Sequence, residues 1–413
     1  MNKISHFPIH EATRANALER LATFIPEAGQ AYTRIRNMDF GPAAHDNVSQ
    51  LSPFIRHRLI TELEVLEAVL AHHRFVDAEK FVYEVFWRGY FKGYLEAYPE
   101  IWQHYLTKRD QHVEALKNDD KLAFRYHTAL SGHTGIDCFD AWVTELVETG
   151  YLHNHARMWF ASIWIFTLRL PWELGADFTL RHFLDGDPAS NTLSWRWVGG
   201  LHTKGKTYLA RPSNIAEFTN GRFSPKGLAT EALPLSEPPM VRSAPFKHQP
   251  LSAAPSGPTL LLLTGEDLHP ESLACGAADI QHIVGWQGAA GRSCLPVSQP
   301  VLTFSDSALR DGVIRASAHF KAKHDIIGQL TTDALMQIAK VHNLKTILIP
   351  HATVGPVADQ ITAIAPQLAE HQIELLSLKR REDQRIWPHA TKGFFEVKQN
   401  IPRILHDLSI RSK

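Results

Sequence analysis

Over its first 230 residues the chain carries its apolar side chains at helical spacing. Ala, Leu and charged residues mix in this way from Glu11 to Phe24, and residues 1–31 are expected to be helical. Tyr32-Thr-Arg34-Ile-Arg36-Asn37 reads as a polar loop. In Ser49-Gln-Leu51-Ser52-Pro53-Phe54 a proline follows a serine, which predicts a helix start with Ser52 as N-cap and Pro53 in the first turn. The helix continues over 58–72 by its apolar residues Leu59, Ile60, Leu63, Val65, Leu66 and Val69. Another is expected through Phe81–Phe91, where Glu84, Trp87, Arg88 and Phe91 fall at i, i+3, i+4 and i+7 on one face. Aromatic stripes are usually core, but an acid and a cation on the same stripe suit a site better. Residues 101–128 and 140–149 complete the helical pattern, the latter with Gly150 as C-cap.

Past residue 231 the pattern changes. Residues 232–258 hold seven prolines and several serines, a linker composition. Beyond them, Thr259–Thr264, Ile280–Trp286, Val301–Phe304, Thr346–Ile349 and Ile373–Leu376 read as short buried strands, with helices near 308–322, 331–342 and 356–370. Such alternation implies a parallel, doubly wound sheet with a ligand crevice at its strand ends, around Gly265, Glu266, His351 and Gly355. The expected fold is therefore a mainly α-helical domain (1–231), a Pro/Ser-rich linker (232–258) and a smaller α/β domain (259–413) with a helical tail. A chain of 413 residues suits two domains. The tail from Trp387 to Phe395 is expected to pack back on the helical domain.

Composition narrows the function classes. Formal net charge is zero, with 43 basic and 43 acidic residues, so bulk charge does not favour coating of nucleic acid. Locally, residues 196–226 carry Arg196, Lys204, Lys206, Arg211, Arg222 and Lys226 against one acid, Glu217. This is a solvated surface or a phosphate-contacting rim. Three cysteines without a CxxC pair leave neither a disulfide framework nor a cluster site, and the 24 histidines show no zinc spacing, so no metal is expected. No apolar run approaches the roughly 20 residues of a membrane helix, and no secretory signal opens the chain. A cytoplasmic protein is the expectation.

The chemistry concentrates between residues 154 and 197. Asn154, Arg157, Met158, Trp172, Asp185-Gly-Asp187, Asn191 and Trp195-Arg-Trp197 place polar groups among large aromatic rings. Buried unpaired, such groups would cost roughly 2–7 kcal/mol each, so the mixture suits a cavity for a flat, polar ligand. In order and spacing these residues resemble the FAD-binding domain of the DNA photolyase/cryptochrome family. The resemblance is continuous from Gly135 to Trp197 and reaches loosely back to Tyr32, covering less than half of the chain.

That resemblance implies roles. Tyr32, Ser49, Leu51 and Ser52 would clasp the FAD diphosphate. Arg88 would lie near the flavin. Arg157 and Asp185 would form a buried pair beside it, the guanidinium stabilising an anionic reduced state. Asp187 would accept a hydrogen bond from the isoalloxazine or ribitol side, and Asn191 would face the flavin N5. Trp195 and Trp172 would be the proximal and middle members of an electron-transfer chain. Glu84 would bond the damaged bases, Trp87 and Trp197 would wall their pocket, and Asn154 and Met158 would line it. Four positions depart from the family pattern: Val48 for a threonine, Arg58 for a glycine, Asp137 for a proline and Asp119 for the third, surface tryptophan. Trp142, Trp159, Trp164 or a tyrosine stands in for that tryptophan. The usual α/β antenna domain does not precede these residues. An α/β unit follows them, either a relocated antenna-like domain or an unrelated module, and a second chromophore is left open.

The implied partner is damaged DNA carrying a flipped pyrimidine dimer, with single strands preferred given the modest basic charge. The implied activity is blue-light repair. The rival readings are a cryptochrome-like photoreceptor without repair and a helical module with a structural flavin or none.

Overall fold

The computed structural model describes residues 12–243, 255 and 257–413. The first half is helical: α1 (Arg14–Phe24), α2 (Gln30–Ile35), α3 (Ser52–Arg56), α4 (Glu62–His72), α5 (Phe75–Ala97), α6 (Glu100–Ala115), α7 (Asp120–Leu130), α8 (Asp137–Thr149), α9 (Asn154–Ser162), α10 (Trp172–His182), α11 (Pro188–Val198) and α12 (Pro212–Phe218). A π-helical segment, Ile163–Thr167, prolongs α9.

The second half alternates: β1 (Gly257–Thr264), β2 (Ala278–Trp286), α13 (Gln299–Phe320), β3 (Lys323–Ile326), α14 (Thr332–Val341), β4 (Thr346–Pro350), α15 (Pro356–Glu370) and β5 (Glu374–Leu378). The tail adds α16 (Arg381–Ile386) and α17 (Phe394–Asp407). The strands form one parallel sheet in the order β3-β2-β1-β4-β5, so the topology reverses between β1 and β4. A mainly helical chain with a doubly wound sheet is the expected class.

Local chemistry explains most boundaries. Thr61 and Glu64 make a reciprocal capping box at the start of α4. Gly150 ends α8 at φ 68°, as its sequence position predicts. Residues 1–11 of the expected first helix lie outside the described residues, and so do 244–254 and 256 of the expected linker.

Some expectations need correction. Tyr32 to Ile35 is helical rather than looped. Leu51 is the N-cap of α3, with Ser52 and Pro53 already inside the helix. Arg58 is not helical: it holds φ 49°, a left-handed conformation that accounts for the glycine usual at this place. Val301–Phe304 is not a strand but the start of α13. Pro300 has no N–H for a ladder, and Val301, Phe304, Ala308, Leu309, Val313 and Ala316 are buried at helical spacing. The strand that takes its place in the sheet, β3, is exposed along its length and reads Lys-His-Asp-Ile, so no apolar run marks it.

The cores are not confined to one half. Leu21, Phe54, Phe81 and Tyr90 share a hydrophobic cluster with Leu261, Phe304 and Trp387. A second cluster fills the helical half around Trp142, Trp159 and Trp164, and a third lies under the other face of the sheet. The tail packs on α5, as expected. Gly89 and Gly93 leave room there for Ile386, Trp387 and Ala390, and a Cβ on Gly93 would meet Ala390 at 2.7 Å.

Candidate functional site

Helices α2, α9 and α11 all pack on α5 or on one another, which brings the chemistry-bearing residues of four separate segments together. The anchor is the pair Arg157–Asp185. The guanidinium grips the carboxylate with both ends, Nη1–Oδ1 at 3.0 Å and Nη2–Oδ2 at 2.9 Å, and donates Nε to the Leu152 carbonyl at 2.9 Å. It lies over the Phe183 ring at 4.0 Å. Asp185 is nearly enclosed while Arg157 keeps 28% of its side-chain surface exposed, so the cation faces outward from a fixed partner.

Asp187 sits deeper. Its Oδ1 caps α11 through the Ser190 N–H at 2.9 Å, and its Oδ2 lies 2.9 Å from Lys92 Nζ, 3.7 Å from Arg88 and 4.0 Å from Arg56. Burial alone would raise this carboxyl, but Lys92, Arg88 and Arg56 together hold it well below the usual range. Arg88 also donates to Glu62 at 2.7 Å. Asn191 is buried with its amide engaged, donating to the Ala176 carbonyl at 2.8 Å and accepting from the Thr179 hydroxyl at 2.8 Å. Trp195 donates to the same hydroxyl at 3.0 Å.

Other assigned residues are reachable. Ser49, Ser52, Glu84, Trp87, Met158 and Trp197 are half-buried and Asn154 is exposed, whereas Tyr32 and Leu51 are buried. Glu84 pairs with Arg36, whose guanidinium also lies 5.9 Å from the Tyr32 ring. Trp197 stacks on Tyr208 at 5.6 Å. Trp87 stacks on Phe394 of α17, centroids 3.9 Å apart and planes at 11°. The pocket wall assigned to Trp87 is therefore covered by the chain's own tail in this conformation.

Trp172 does not lead to Asp119, which instead caps α7 through the N–H groups of Lys121 and Leu122. It faces Tyr105 at 5.8 Å, and Tyr105 faces Trp102 at 5.2 Å. From Trp195 a second aromatic path runs through Trp164 at 6.1 Å to Tyr126 at 6.2 Å.

The sequence reading missed Arg36, Arg56 and Lys92. Lys92 was within reach, since it falls four residues after Arg88 and eight after Glu84 on the same helix face. Arg36 and Arg56 gave no such signal. In the basic run, Arg196 is buried against Glu237 and Arg222 pairs with Asp39, leaving Lys204, Lys206, Arg211 and Lys226 on exposed residues. Among the described residues, no group of three or more His, Cys, Asp or Glu is placed to hold a metal, and no helix is long and apolar enough to cross a membrane.

The donor set fits a flavin dinucleotide. The hydroxyls of Ser49 and Ser52, at the start of a short helix, suit phosphates. Because α3 has only five residues, its dipole adds little to the hydroxyls. A fixed, partly exposed cation at Arg157 suits an electron-rich ring system.

Residues 81–227 match the family model for the FAD binding domain of DNA photolyase. A deoxyribodipyrimidine photo-lyase of Streptomyces griseus is 32% identical over 187 residues, 45% of this chain and 38% of the relative. One from Thermus thermophilus is 31% identical over 203 residues, 49% of this chain and 46% of the relative. The chain thus spans less than half the length of these relatives. A bacterial class III photolyase structure from Agrobacterium tumefaciens is similar at 26% identity and a TM-score of 0.41, over 50% of this chain and 43% of that one. The family match supports FAD as the cofactor. Over residues 81–227, this chain is similar to the FAD binding domain of the DNA photolyase/cryptochrome family.

Proposed function

We propose that the protein repairs cyclobutane pyrimidine dimers in DNA with blue light. The observation that supports this reading is the packing of α5, which carries Glu84 and Trp87, and of α9, which carries Asn154, Arg157 and Met158, on α11, which carries Trp197. When bound and reduced, FAD supplies the light-excited electron donor.

The chain's own residues supply position and charge. Tyr32, Ser49, Leu51 and Ser52 hold the diphosphate, Arg88 lies near the ring system, and Arg157 keeps a positive charge beside it. Asp187 and Asn191 act from behind, their present partners fixing α11 and α10. Trp87 and Trp197 stack on the extruded bases, since a lesion inside the duplex is out of reach. Glu84 bonds the bases where charge accumulates, the kind of aimed contact that is worth most in a dry site. Exposed Lys204, Lys206, Arg211 and Lys226 contact backbone phosphates, a small set that suits single-stranded or locally opened DNA.

One observation favours the second reading, a photoreceptor without repair. Phe394 covers the face of Trp87 that a base would use. The two readings separate in one assay. Full-length protein loaded with FAD and chemically reduced is mixed with a thymine-dimer oligonucleotide under blue light, with a dark control and a Glu84→Ala control. Light-dependent splitting that weakens in the variant supports repair. A bound, reduced flavin with no splitting in either protein abandons repair for the photoreceptor.

A further inference from the structure

Trp87 stands near the middle of α5, and two other segments flank it along that helix. On the C-terminal side lies the turn after α11: His202 Nε2 meets the Tyr90 hydroxyl at 2.8 Å, and Lys204 and Lys206 follow on exposed residues. The same hydroxyl donates to the carbonyl of Lys392, at 2.8 Å, which leads into α17. From there α17 runs back along α5 toward its N-terminal end. The Phe394 and Trp87 rings are 3.9 Å apart, Lys398 Nζ lies 4.6 Å from the centre of the Tyr83 ring, and beyond the helix the Ser412 hydroxyl accepts from the Phe75 N–H at 2.8 Å. Trp87 therefore sits between two stretches that carry exposed lysines, one on each side.

The charge of α17 is not cancelled locally. From Lys392 to Lys413 five exposed basic residues stand against two acids, Glu396 and Asp407, in a chain whose formal charge is zero. Glu396 is drawn inward, with one carboxylate oxygen fully buried, and Asp407 lies 3.9 Å from Arg385. On α5, Glu79 is within the field of Lys398 but is already paired with Lys80 at 2.8 Å and accepts from the Tyr83 hydroxyl at 3.1 Å. Glu84 is taken up by Arg36.

Phe395 adds a second kind of group. A lone exposed phenylalanine is ordinary on a protein surface. This one is 67% exposed, adjoins the residue that covers Trp87, and stands three residues from a lysine on each side, in Lys392-Gly-Phe-Phe395-Glu-Val-Lys398. Proteins that hold single-stranded nucleic acid combine these two parts, cations that follow the backbone and aromatic faces on which bases stack. An acidic peptide would satisfy the lysines and leave the Phe395 ring in water, so a single strand fits the set better. Because α17 lies outside residues 81–227, the family match assigns it no role.

We propose, resting on the repair reading for the base extruded at Trp87, that α17 is a second DNA-binding element. Lys392 and Lys398 take phosphates on the flank of the lesion opposite Lys204 and Lys206, and Phe395 stacks on an unpaired neighbouring base.

The test follows fluorescence anisotropy of a single-stranded oligonucleotide, with and without a thymine dimer, as full-length protein is added at several salt concentrations. The variants are the double substitution Lys392→Ala/Lys398→Ala, Phe395→Ala, Phe395→Trp and, as a control on α14, Lys340→Ala. Two lost phosphate contacts on a single strand should make log affinity fall less steeply with log salt, by about 1.4 in slope. Phe395→Ala should weaken binding about fivefold or more at unchanged slope, and Phe395→Trp should keep it, since any aromatic face can stack. All four positions are exposed, so melting temperatures should stay at the wild-type value.

Wild-type affinity and slope in the α17 variants, an equal change of slope per lysine in Lys340→Ala, or a wild type that binds no oligonucleotide would each overturn the proposal. Light-dependent splitting judges the repair reading separately. Splitting together with unaltered binding by the α17 variants keeps repair and removes α17 from the DNA path. Binding that depends on α17, with no splitting, keeps the DNA-binding element and abandons repair.

Discussion

Trp87 and Phe394 lie face to face, centroids 3.9 Å apart, although one belongs to α5 and the other opens the last helix of the chain. The contact is reinforced nearby, where the Tyr90 hydroxyl donates to the Lys392 carbonyl at 2.8 Å. An aromatic pair of this kind contributes about 0.5–1.5 kcal/mol beyond its buried area. On the repair reading, a damaged base must replace Phe394 on the indole.

Phe394→Ala should therefore tighten binding of a dimer-containing oligonucleotide, by about three- to tenfold from the stacking energy alone. Fluorescence anisotropy with damaged and undamaged strands measures it. Folding stability should drop modestly over the same change. Unchanged affinity for the damaged strand would mean that bases do not use this face.

A second expectation concerns pH. Burial pushes the Glu173 carboxyl up to about 7, above the ordinary value of 4.5, so the native state holds this proton more tightly than the unfolded chain. Its stabilising effect is complete below pH about 4.5 and is lost as pH rises through 7. Glu173→Gln removes that dependence. Relative to the wild type, the variant should gain in urea midpoint at pH 8 and gain little at pH 5. His202 works in the opposite sense over a neighbouring window: burial holds its pKa down to about 4, so stability is present above pH 6.5 and falls as pH drops toward 4. Urea midpoints of His202→Gln across that window should show a flatter acid limb.

The aromatic paths make a third. With Asp119 serving as a helix cap, the proposed function would leave electrons bound for oxidised FAD two aromatic paths, Trp102–Tyr105–Trp172 and Tyr126–Trp164–Trp195. If the first is used, Trp172→Phe and Tyr105→Phe should each slow light-driven bleaching of the flavin absorption, while Trp164→Phe leaves it unchanged. The reverse pattern assigns the second route.

What the sequence disclosed depended on range. Spacing within one helix placed Glu84, Trp87 and Arg88 on one face and stopped α8 at Gly150. Arg157 and Asp185 were paired by resemblance, and they do meet. Short apolar runs were ambiguous, and Val301–Phe304 went wrong because a run of four cannot separate strand from helix by period alone. The polar edge strand β3 has no apolar signal at all. Contacts between distant segments were beyond reach: the Arg36–Glu84 pair, Phe394 on Trp87, and the meeting of Arg56 with Arg292 are each fixed by tertiary packing that no local pattern encodes.

Arg58, turned into the left-handed region where the family has glycine, joins Asp383 by two bonds at 2.7 and 2.8 Å and reaches Asp267 at 3.3 Å. Arg380 grips the same Asp267, and hydrophobic side chains from both halves fill one core beside them. Breaking such a buried pair costs about 3–5 kcal/mol, so the halves unfold as one cooperative body. The covalent link between residues 243 and 257 then acts only by raising one half's effective concentration around the other. Two polypeptides divided there should therefore still associate, because the contacts that join them do not run through that link.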